Sequence, residues 1–237
     1  LKVANWPGVT VEKKEGHTTY EGQDYTLIDL PGIYSLTSYT MEEKVSRECI
    51  LSDEVDVIID VADASSLERN LYLTLQLIEL GKPVVALNMM DIVEERGMEI
   101  DLHRLPEMLG IPVIPVSARK KTGLSILMHA VAHHKDVLHQ DPLIHHHPGL
   151  HSKHRHDHHA EYTMVYTDDI EDKIDILIER ITHTYPDFPN KRWLAIKYME
   201  KDTSASEQWP LDTSDILDCS YEKDLINQKY DFIEEII

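Results

Sequence analysis

The sequence predicts an α/β fold with a mostly parallel sheet, followed by a small all-α domain. Short apolar runs alternate with helical patterns through the first 135 residues, which is typical of strands joined by crossover helices. A histidine-rich stretch with prolines then interrupts the pattern, and beyond it apolar residues recur at helical spacing. We therefore predict an α/β domain over residues 1–135, a linker over 136–160 and a helical domain over 161–237.

The strand predictions rest on apolar runs that end in polar residues. The clearest are 25–29, 55–61, 84–88 and 113–116, and residues 9–14 and 17–20 read as further strands around a turn at Gly16. Because ligands bind at the carboxyl ends of strands in open α/β sheets, the polar residues that follow these runs are the first candidates for a site.

The helix predictions rest on apolar spacing and stop signals. Residues 66–80 place Leu67, Leu71, Leu75 and Ile78 on one face, and Gly81 follows as a stop. The same criteria predict helices over 102–109, from 124 into the first histidines, over 168–183, over 191–200, and from 211 onward.

Composition narrows the class of protein. The formal net charge of −20 disfavours binding to nucleic acid or anionic lipid, because both would repel the chain. Two cysteines are too few for a disulfide scaffold, which favours a reducing cytosolic setting. No apolar run reaches the roughly 18 to 20 residues that span a bilayer. The chain starts at Leu1 without a signal peptide, and we expect a soluble piece of a longer protein.

Two motifs follow predicted strands in the order typical of a guanine-nucleotide switch. In the DxxG sequence from Asp29 to Gly32, the aspartate would bind a magnesium-bound water and the glycine N–H would reach the γ-phosphate. DxxG alone is a weak signal. In the NxxD sequence, the Asp91 carboxylate can accept hydrogen bonds from guanine N1–H and N2–H, whereas adenine lacks this donor pair.

A third segment completes the predicted base site. Ser117 and Ala118 follow the strand at 113–116, and a backbone N–H there could meet guanine O6. Asn88 would tie the base loop to the phosphate side, and we include Met89, inside the NxxD motif, among the base-binding residues. Three motifs in order, each after a strand, predict a P-loop-NTPase-like fold of the small-GTPase type that binds GTP or GDP.

Thr10 is the candidate for the threonine that senses triphosphate through magnesium. Its hydroxyl would ligate the same Mg²⁺ ion whose bound water Asp29 would hold. It would do so only when triphosphate is bound. A threonine that merely leads into a strand is the alternative interpretation.

The residues within and around these motifs resemble those of the ferrous iron transport protein B family. The resemblance is carried by NWPGVT at 5–10, DLPGIYSL at 29–36, NMMD at 88–91 and PVSA at 115–118, and later segments such as RWLAIK at 192–197 are similar to the family's helical spacer domain. It implies a GTPase domain joined to a membrane pore for Fe²⁺ at the cytoplasmic face of the bacterial inner membrane. The implied partners are that pore domain and small accessory iron-transport proteins, and the implied cofactors are Mg²⁺ and K⁺.

The phosphate-binding loop GxxxxGK[ST] is absent from the 237 residues. The resemblance places it, with the first strand, upstream of Leu1 in one β-α unit of about 30 residues. The chain is therefore expected to be truncated at its N-terminus. Because this loop makes the strongest phosphate contacts, we expect the chain itself to bind GTP weakly or not at all and to have little GTPase activity.

Ile33 follows the DxxG motif where many small GTPases carry a glutamine that positions water. An alkyl side chain cannot orient a water molecule. We expect backbone groups of the switch, around residues 6–8, to hold the nucleophile with Gly32 and Thr10, and we expect slow turnover.

The histidines are candidate metal ligands, because neutral imidazoles bind Zn²⁺, Cu²⁺, Ni²⁺ and Fe²⁺. His129 and His133 are four residues apart on a predicted helix. The linker candidates are His145, His146, His147, His154, His156, His158 and His159. The alternative is a solvated linker that becomes cationic below about pH 6.5.

The sequence thus predicts the GTP-binding portion of an Fe²⁺ transporter, which gates iron uptake by GTP hydrolysis in the parent protein. The alternative is a nucleotide-free module that binds metal or a partner through the histidine-rich linker and the helical domain. A ribosome-assembly GTPase is disfavoured by the negative charge.

Overall fold

The computed structural model describes residues 2–81, 83–134 and 164–237. Its strands form two sheets of three. In the first, β1 (Lys2–Asn5), β2 (Glu12–Tyr20) and β3 (Gln23–Asp29) pair antiparallel in that order. In the second, β4 (Ile59–Asp63), β5 (Val84–Asn88) and β6 (Val113–Pro115) are parallel. Among the described strands, parallel pairing is thus confined to the second sheet.

The predicted turn at Gly16 is wrong. β2 runs straight through this residue, which pairs with Leu27 of β3. The hairpin turns instead at Glu21 and Gly22, whose φ angles of 49° and 78° are both positive. Two consecutive positive φ angles match the twist of the flanking strands in a two-residue hairpin loop.

Helices flank the parallel sheet. They are α2 (Leu67–Leu80), α3 (Met90–Glu95), α4 (Arg104–Leu109) and α5 (Leu124–Ala132). The central strand β5 is buried from Val84 to Leu87, because the sheet is covered on both faces. β4 begins at Ile59 rather than at the predicted Val55, whose N–H donates to the Ser52 carbonyl in a turn.

A helix that the sequence analysis missed precedes β4. This helix, α1 (Met41–Ile50), begins with a capping box in which Thr40 accepts from the Glu43 N–H and Glu43 accepts from the Thr40 N–H. The T-x-x-E spacing is a recognised start signal.

The C-terminal part is helical, as predicted. It comprises α6 (Asp168–Thr184), α7 (Lys191–Met199), α8 (Thr203–Gln208) and α9 (Glu222–Ile236). α7 is buried from Trp193 to Met199 and is the centre of this part. The last helix starts at Glu222 and not at Leu211, because Asp212 accepts from the Ser214 N–H in a turn.

The two parts share packing. Leu77 and Leu80 at the end of α2 belong to the same apolar cluster as α6 and α7, whereas Ile233 and Ile236 of α9 pack in the cluster around the parallel sheet. A buried ion pair reinforces the contact: Lys229 Nζ of α9 lies 3.0 Å from Glu79 Oε1 of α2. Among the described residues, no helix combines the length and apolar character needed to cross a bilayer.

Candidate functional site

The predicted base-binding residues converge at one edge of the parallel sheet. Asn88 ends β5, and Ser117 follows β6 by two residues. Because β5 and β6 are parallel neighbours, the loops that leave them emerge side by side. The Asn88 Oδ1 atom accepts a hydrogen bond of 3.1 Å from the Ala118 N–H, which joins the NxxD motif to the Ser-Ala segment.

Asp91 is the most buried carboxylate of this edge, with a side chain that is 2% exposed. Its Oδ1 accepts from the Ser117 hydroxyl at 2.9 Å, and its Oδ2 lies 2.7 Å from Arg119 Nε. The Ser117 hydroxyl, and then the Arg119 guanidinium, hold the pKa of Asp91 below its ordinary value against the opposing effect of burial. Asp91 is therefore an anionic acceptor, as recognition of two adjacent N–H donors requires.

The loop from Ser117 to Gly123 is closed on itself. Ser117 and Thr122 exchange two backbone hydrogen bonds, and the Lys120 N–H donates to Ser117 Oγ at 3.1 Å. Gly123 has a φ of +77°, and a Cβ atom at this position would lie 2.2 Å from the Pro115 carbonyl oxygen. Only glycine fits there, so Gly123 fixes the path of the base loop.

Met89 adopts a left-handed conformation, with a φ of 67°, immediately before α3. Its side chain is 38% exposed beside Asn88 and Asp91. A thioether is polarizable and adaptable, and it can cover an aromatic ring.

The predicted phosphate-side residues are exposed, and the structure does not join Thr10 to Asp29. Asp29 ends β3 and is exposed, as are Gly32 and Thr10. Thr10 lies in a loop that the bond from the Trp6 N–H to the Val11 carbonyl closes at 2.9 Å. No hydrogen bond or ion pair between described residues joins Thr10 to Asp29, so the structure does not assemble a shared magnesium site from them.

These residues nevertheless fit the group that the sequence implies. The Asp29 carboxylate and the Thr10 hydroxyl are exposed oxygen donors, the ligand type that Mg²⁺ takes. A Cβ atom at Gly32 would meet nothing within 4 Å, so packing does not explain this glycine. Open space at this position leaves room for a ligand to approach its N–H.

The segment after the DxxG motif is anchored in the helical part. Ile33 packs against the apolar cluster of α6 and α7, and Leu36 is fully buried within it. The Leu36 N–H donates to Gln76 Oε1 of α2 at 2.8 Å. The alkyl side chain of Ile33 therefore has a packing role here.

Sequence reasoning missed Arg119, Gln76 and Leu36. Arg119 directly follows the Ser-Ala segment, which would have placed it near Asp91. The buried side chain of Gln76 lies inside an otherwise apolar helix pattern and carries no such signal. The predicted linker ligands from His145 to His159 lie outside the described residues.

Known proteins match the chain in both of its parts. A family model described as "Ferrous iron transport protein B" matches residues 1–131, and one described as "FeoB cytosolic helical domain" matches residues 166–237. The Fe(2+) transporter FeoB of Escherichia coli (strain K12) is 48% identical over 139 residues. The same transporter of Salmonella typhimurium is 48% identical over 138 residues. Each alignment covers 56% of this chain and 18% of the transporter, so the chain matches under a fifth of these relatives' length.

Solved structures extend the likeness over nearly the whole chain. A mutant of S. thermophilus NFeoB bound to mGDP has a TM-score of 0.80 and 34% identity, and the match covers 99% of this chain and 88% of that chain. The cytosolic domain of the T. maritima FeoB iron transporter in a GDP form has a TM-score of 0.78 and 30% identity, with 99% and 86% covered. The predicted P-loop GTPase-like α/β fold with a C-terminal helical domain is thereby confirmed. The chain belongs to the ferrous iron transport protein B family.

Proposed function

We propose that this chain recognises guanine nucleotides and that, in the longer transporters of its family, the nucleotide state gates Fe²⁺ uptake. The observation that carries the proposal is the pair of hydrogen bonds from Ala118 to Asn88 and from Ser117 to Asp91. They hold the base-reading groups in place before a ligand is bound, which lowers the entropic cost of binding.

Asp91 is the specificity residue of this proposal. Its two oxygens accept guanine N1–H and N2–H, and Oδ1 can keep the Ser117 bond because a carboxylate oxygen has two lone pairs. Arg119 already bonds to Oδ2 without a ligand, so the base has to share that oxygen with Arg119 or displace it. The Ala118 N–H region supplies a donor for guanine O6, and Met89 covers the ring.

The phosphate side supplies the switch. Thr10 would ligate Mg²⁺ through its hydroxyl, Asp29 would hold a magnesium-bound water, and the Gly32 N–H would contact the γ-phosphate. When bound, Mg²⁺ would offset phosphate charge, and K⁺ would be a further cation of the site. Water is positioned by backbone groups near residues 6–8, since Ile33 cannot orient it.

The link to transport runs through the helical part. Because Leu36 belongs to the apolar cluster that contains residues of α6 and α7, and Ile33 packs against this cluster, a change of the DxxG segment would reach the helical part through it. The proposed partners are the membrane pore of the parent protein, at the cytoplasmic face of the inner membrane, and small accessory iron-transport proteins.

The test is a fluorescence titration of labelled GDP and labelled ADP into the chain at millimolar Mg²⁺. We expect weak binding with a clear preference for guanine. Asp91→Asn should lose guanine affinity by roughly 10- to 100-fold, because a hydrogen bond to a charged group contributes about 1.5–3 kcal/mol. The same variant should gain affinity for xanthosine diphosphate, whose O2 accepts from the new amide.

Asp101→Asn is the matched control. The Asp101 carboxylate caps the His103 and Arg104 N–H groups on an exposed loop, and an asparagine oxygen can do the same. If binding is too weak to measure, a fusion that supplies a GxxxxGK[ST] β-α unit ahead of β1 provides the phosphate contacts. Equal affinity for GDP and ADP in that fusion would refute the proposal.

A further inference from the structure

A cluster of metal-ligating side chains lies away from the nucleotide residues, where the β2–β3 hairpin meets α5. The cluster consists of Glu21, His129 and His133. Glu21 is in the hairpin turn, His129 is in the last turn of α5, and His133 is its C-cap. The sequence spacing pairs the two histidines, but the carboxylate comes from more than 100 residues earlier and is brought in by the fold.

The distances fit a common ion. Glu21 Oε1 lies 3.7 Å from His129 Nδ1, and Glu21 Oε2 lies 3.5 Å from His133 Nε2. The three ligand atoms all lie within 4.8 Å of one another. Two ligands about 2.1 Å from a tetrahedral ion are about 3.4 Å apart, so small rotations of partly exposed side chains suffice to bring all three to one metal.

The geometry favours ligation over simple hydrogen bonding. Both His–Glu distances exceed the roughly 2.7–3.2 Å of a good hydrogen bond. The two imidazole rings lie with their centroids 4.4 Å apart, so both face the same carboxylate. The C-terminal end of α5 adds a partial negative charge, which favours a cation there.

The hairpin turn presents its carboxylate from a constrained backbone. Glu21 has a φ of 49°, and the ladder closes immediately outside it at the Tyr20 and Gln23 pair. His129 is likewise held by the helix, and the His133 N–H still donates to the His129 carbonyl at 3.1 Å. The three ligands are therefore presented by ordered backbone.

We propose that Glu21, His129 and His133 form a binding site for a divalent first-row transition metal ion. Two imidazoles and one carboxylate suit Zn²⁺, Co²⁺, Ni²⁺, Cu²⁺ and Fe²⁺ and do not suit Mg²⁺ or Ca²⁺, which take oxygen ligands. The side chains are 44–59% exposed, so the remaining coordination positions are open to water and the ion can exchange. The site is independent of the proposed nucleotide function.

A bound ion would tie the β2–β3 hairpin to α5. β3 leads directly into the DxxG segment, and α5 follows the base loop. The site therefore connects the hairpin that leads into the DxxG segment with the helix that follows the base loop.

The test is a Zn²⁺ titration against a competing chromophoric chelator. Because nine further histidines lie between 139 and 159, it uses the full chain with asparagine at those nine positions. We expect one Zn²⁺ per chain, no displacement by millimolar Mg²⁺, and a loss of affinity of about tenfold or more in Glu21→Gln, His129→Ala and His133→Ala. His183→Ala is the matched control, because His183 is also an exposed histidine near the end of a helix, and it should bind as the parent does.

A second measurement keeps the test decisive if a variant folds poorly. Zn²⁺ should raise the melting temperature of the parent and of His183→Ala, because the ion binds only the folded arrangement. At the same Zn²⁺ concentration it should raise that of Glu21→Gln clearly less, because the variant binds the ion more weakly. Affinities of all variants within twofold of the parent, or an equal Zn²⁺-dependent rise in Glu21→Gln, would overturn the proposal.

Discussion

The base side and the phosphate side of the candidate nucleotide site are built in opposite ways. On the base side, Asn88, Asp91 and Ser117 are joined to one another's loops by hydrogen bonds, and Asp91 is almost fully buried. On the phosphate side, Thr10 and Asp29 are exposed, and no bond between described residues joins them. Under the proposed function, the first half would select guanine through hydrogen-bonding groups that are already in place, whereas the second would take its final arrangement from the ligand.

This difference assigns two tasks to two sets of residues: selection of the base to the base side, and response to the phosphate to the phosphate side. Groups that discriminate between bases have to be in place before binding, because a misplaced acceptor forfeits the hydrogen bonds that separate guanine from adenine. Groups that report a phosphate need two arrangements of comparable free energy. A switch needs both properties in one site: fixed groups that select the base and mobile groups that respond to the phosphate.

The largest effect should come from exchanging the glycines of the two halves for alanine. Gly123→Ala places a Cβ 2.2 Å from a carbonyl oxygen at a positive φ, and we expect a loss of about 2–4 kcal/mol in the free energy of unfolding. Gly32→Ala meets open space and should leave stability within about 0.5 kcal/mol. Chemical denaturation of both variants checks this contrast, and a similar loss in the two would break the comparison.

An intermediate effect should come from Asp60 of β4, the strand that pairs with β5. Asp60 is buried and accepts from the Thr74 hydroxyl at 2.5 Å, and burial raises its pKa to about 6 from 3.8. The folded protein therefore holds this proton more tightly than the unfolded chain does. The stability that this proton provides is full below the unfolded pKa and is lost as the pH rises to about 6.

Asp60→Asn removes this dependence and keeps an acceptor for Thr74. At pH 8, we expect the free energy of unfolding of the variant to exceed that of the parent by roughly 1–3 kcal/mol. At pH 4, the two values should be about equal. Denaturation curves at the two pH values measure it. A gain that does not grow with pH would show that folding does not raise the pKa of Asp60.

The smallest effect should come from Arg119. Its guanidinium is 60% exposed and bonds to Asp91 and Glu95, so its removal should change the free energy of unfolding by less than about 1 kcal/mol. Arg119→Ala should raise affinity for labelled GDP about two- to fivefold, because the base no longer competes for Asp91 Oδ2. Lys120→Ala removes the same charge from the same loop without touching Asp91 and is the control. A weaker affinity in Arg119→Ala would assign Arg119 to the ligand instead.

Much of the fold was predictable from the sequence, because local signals and tertiary packing agree in it. The run from Val84 to Leu87 is apolar on both faces and is the buried central strand, and the spacing of Leu71 and Leu75 sets the inner face of α2. The order of the base-side motifs likewise follows from loops that leave neighbouring parallel strands.

The misses have identifiable causes. The prediction of a turn at Gly16 rests on the frequency of glycine at turns, but the ladder on both sides of this residue holds β2 extended. Glu21 was overlooked because its role depends on a contact with α5 that no local pattern encodes. Leu36 looked like one apolar residue among many, since burial across two parts of the fold is decided only when they pack.

The burial of Leu36 limits the fraction of molecules in which the DxxG segment can be released in the absence of a ligand. The Leu36 side chain is fully buried in the apolar cluster that also contains residues of α2, α6 and α7, and exposing a leucine costs about 1.5–3 kcal/mol. By itself this would keep the released conformation at roughly one molecule in ten to one in two hundred. A released state that rare gives little signal in the resting protein, yet a ligand needs only a modest preference for it to make it common. Under the proposed function, the burial of Leu36 would thus set two quantities: the population of the released conformation without ligand, and the binding energy that a ligand needs to favour it.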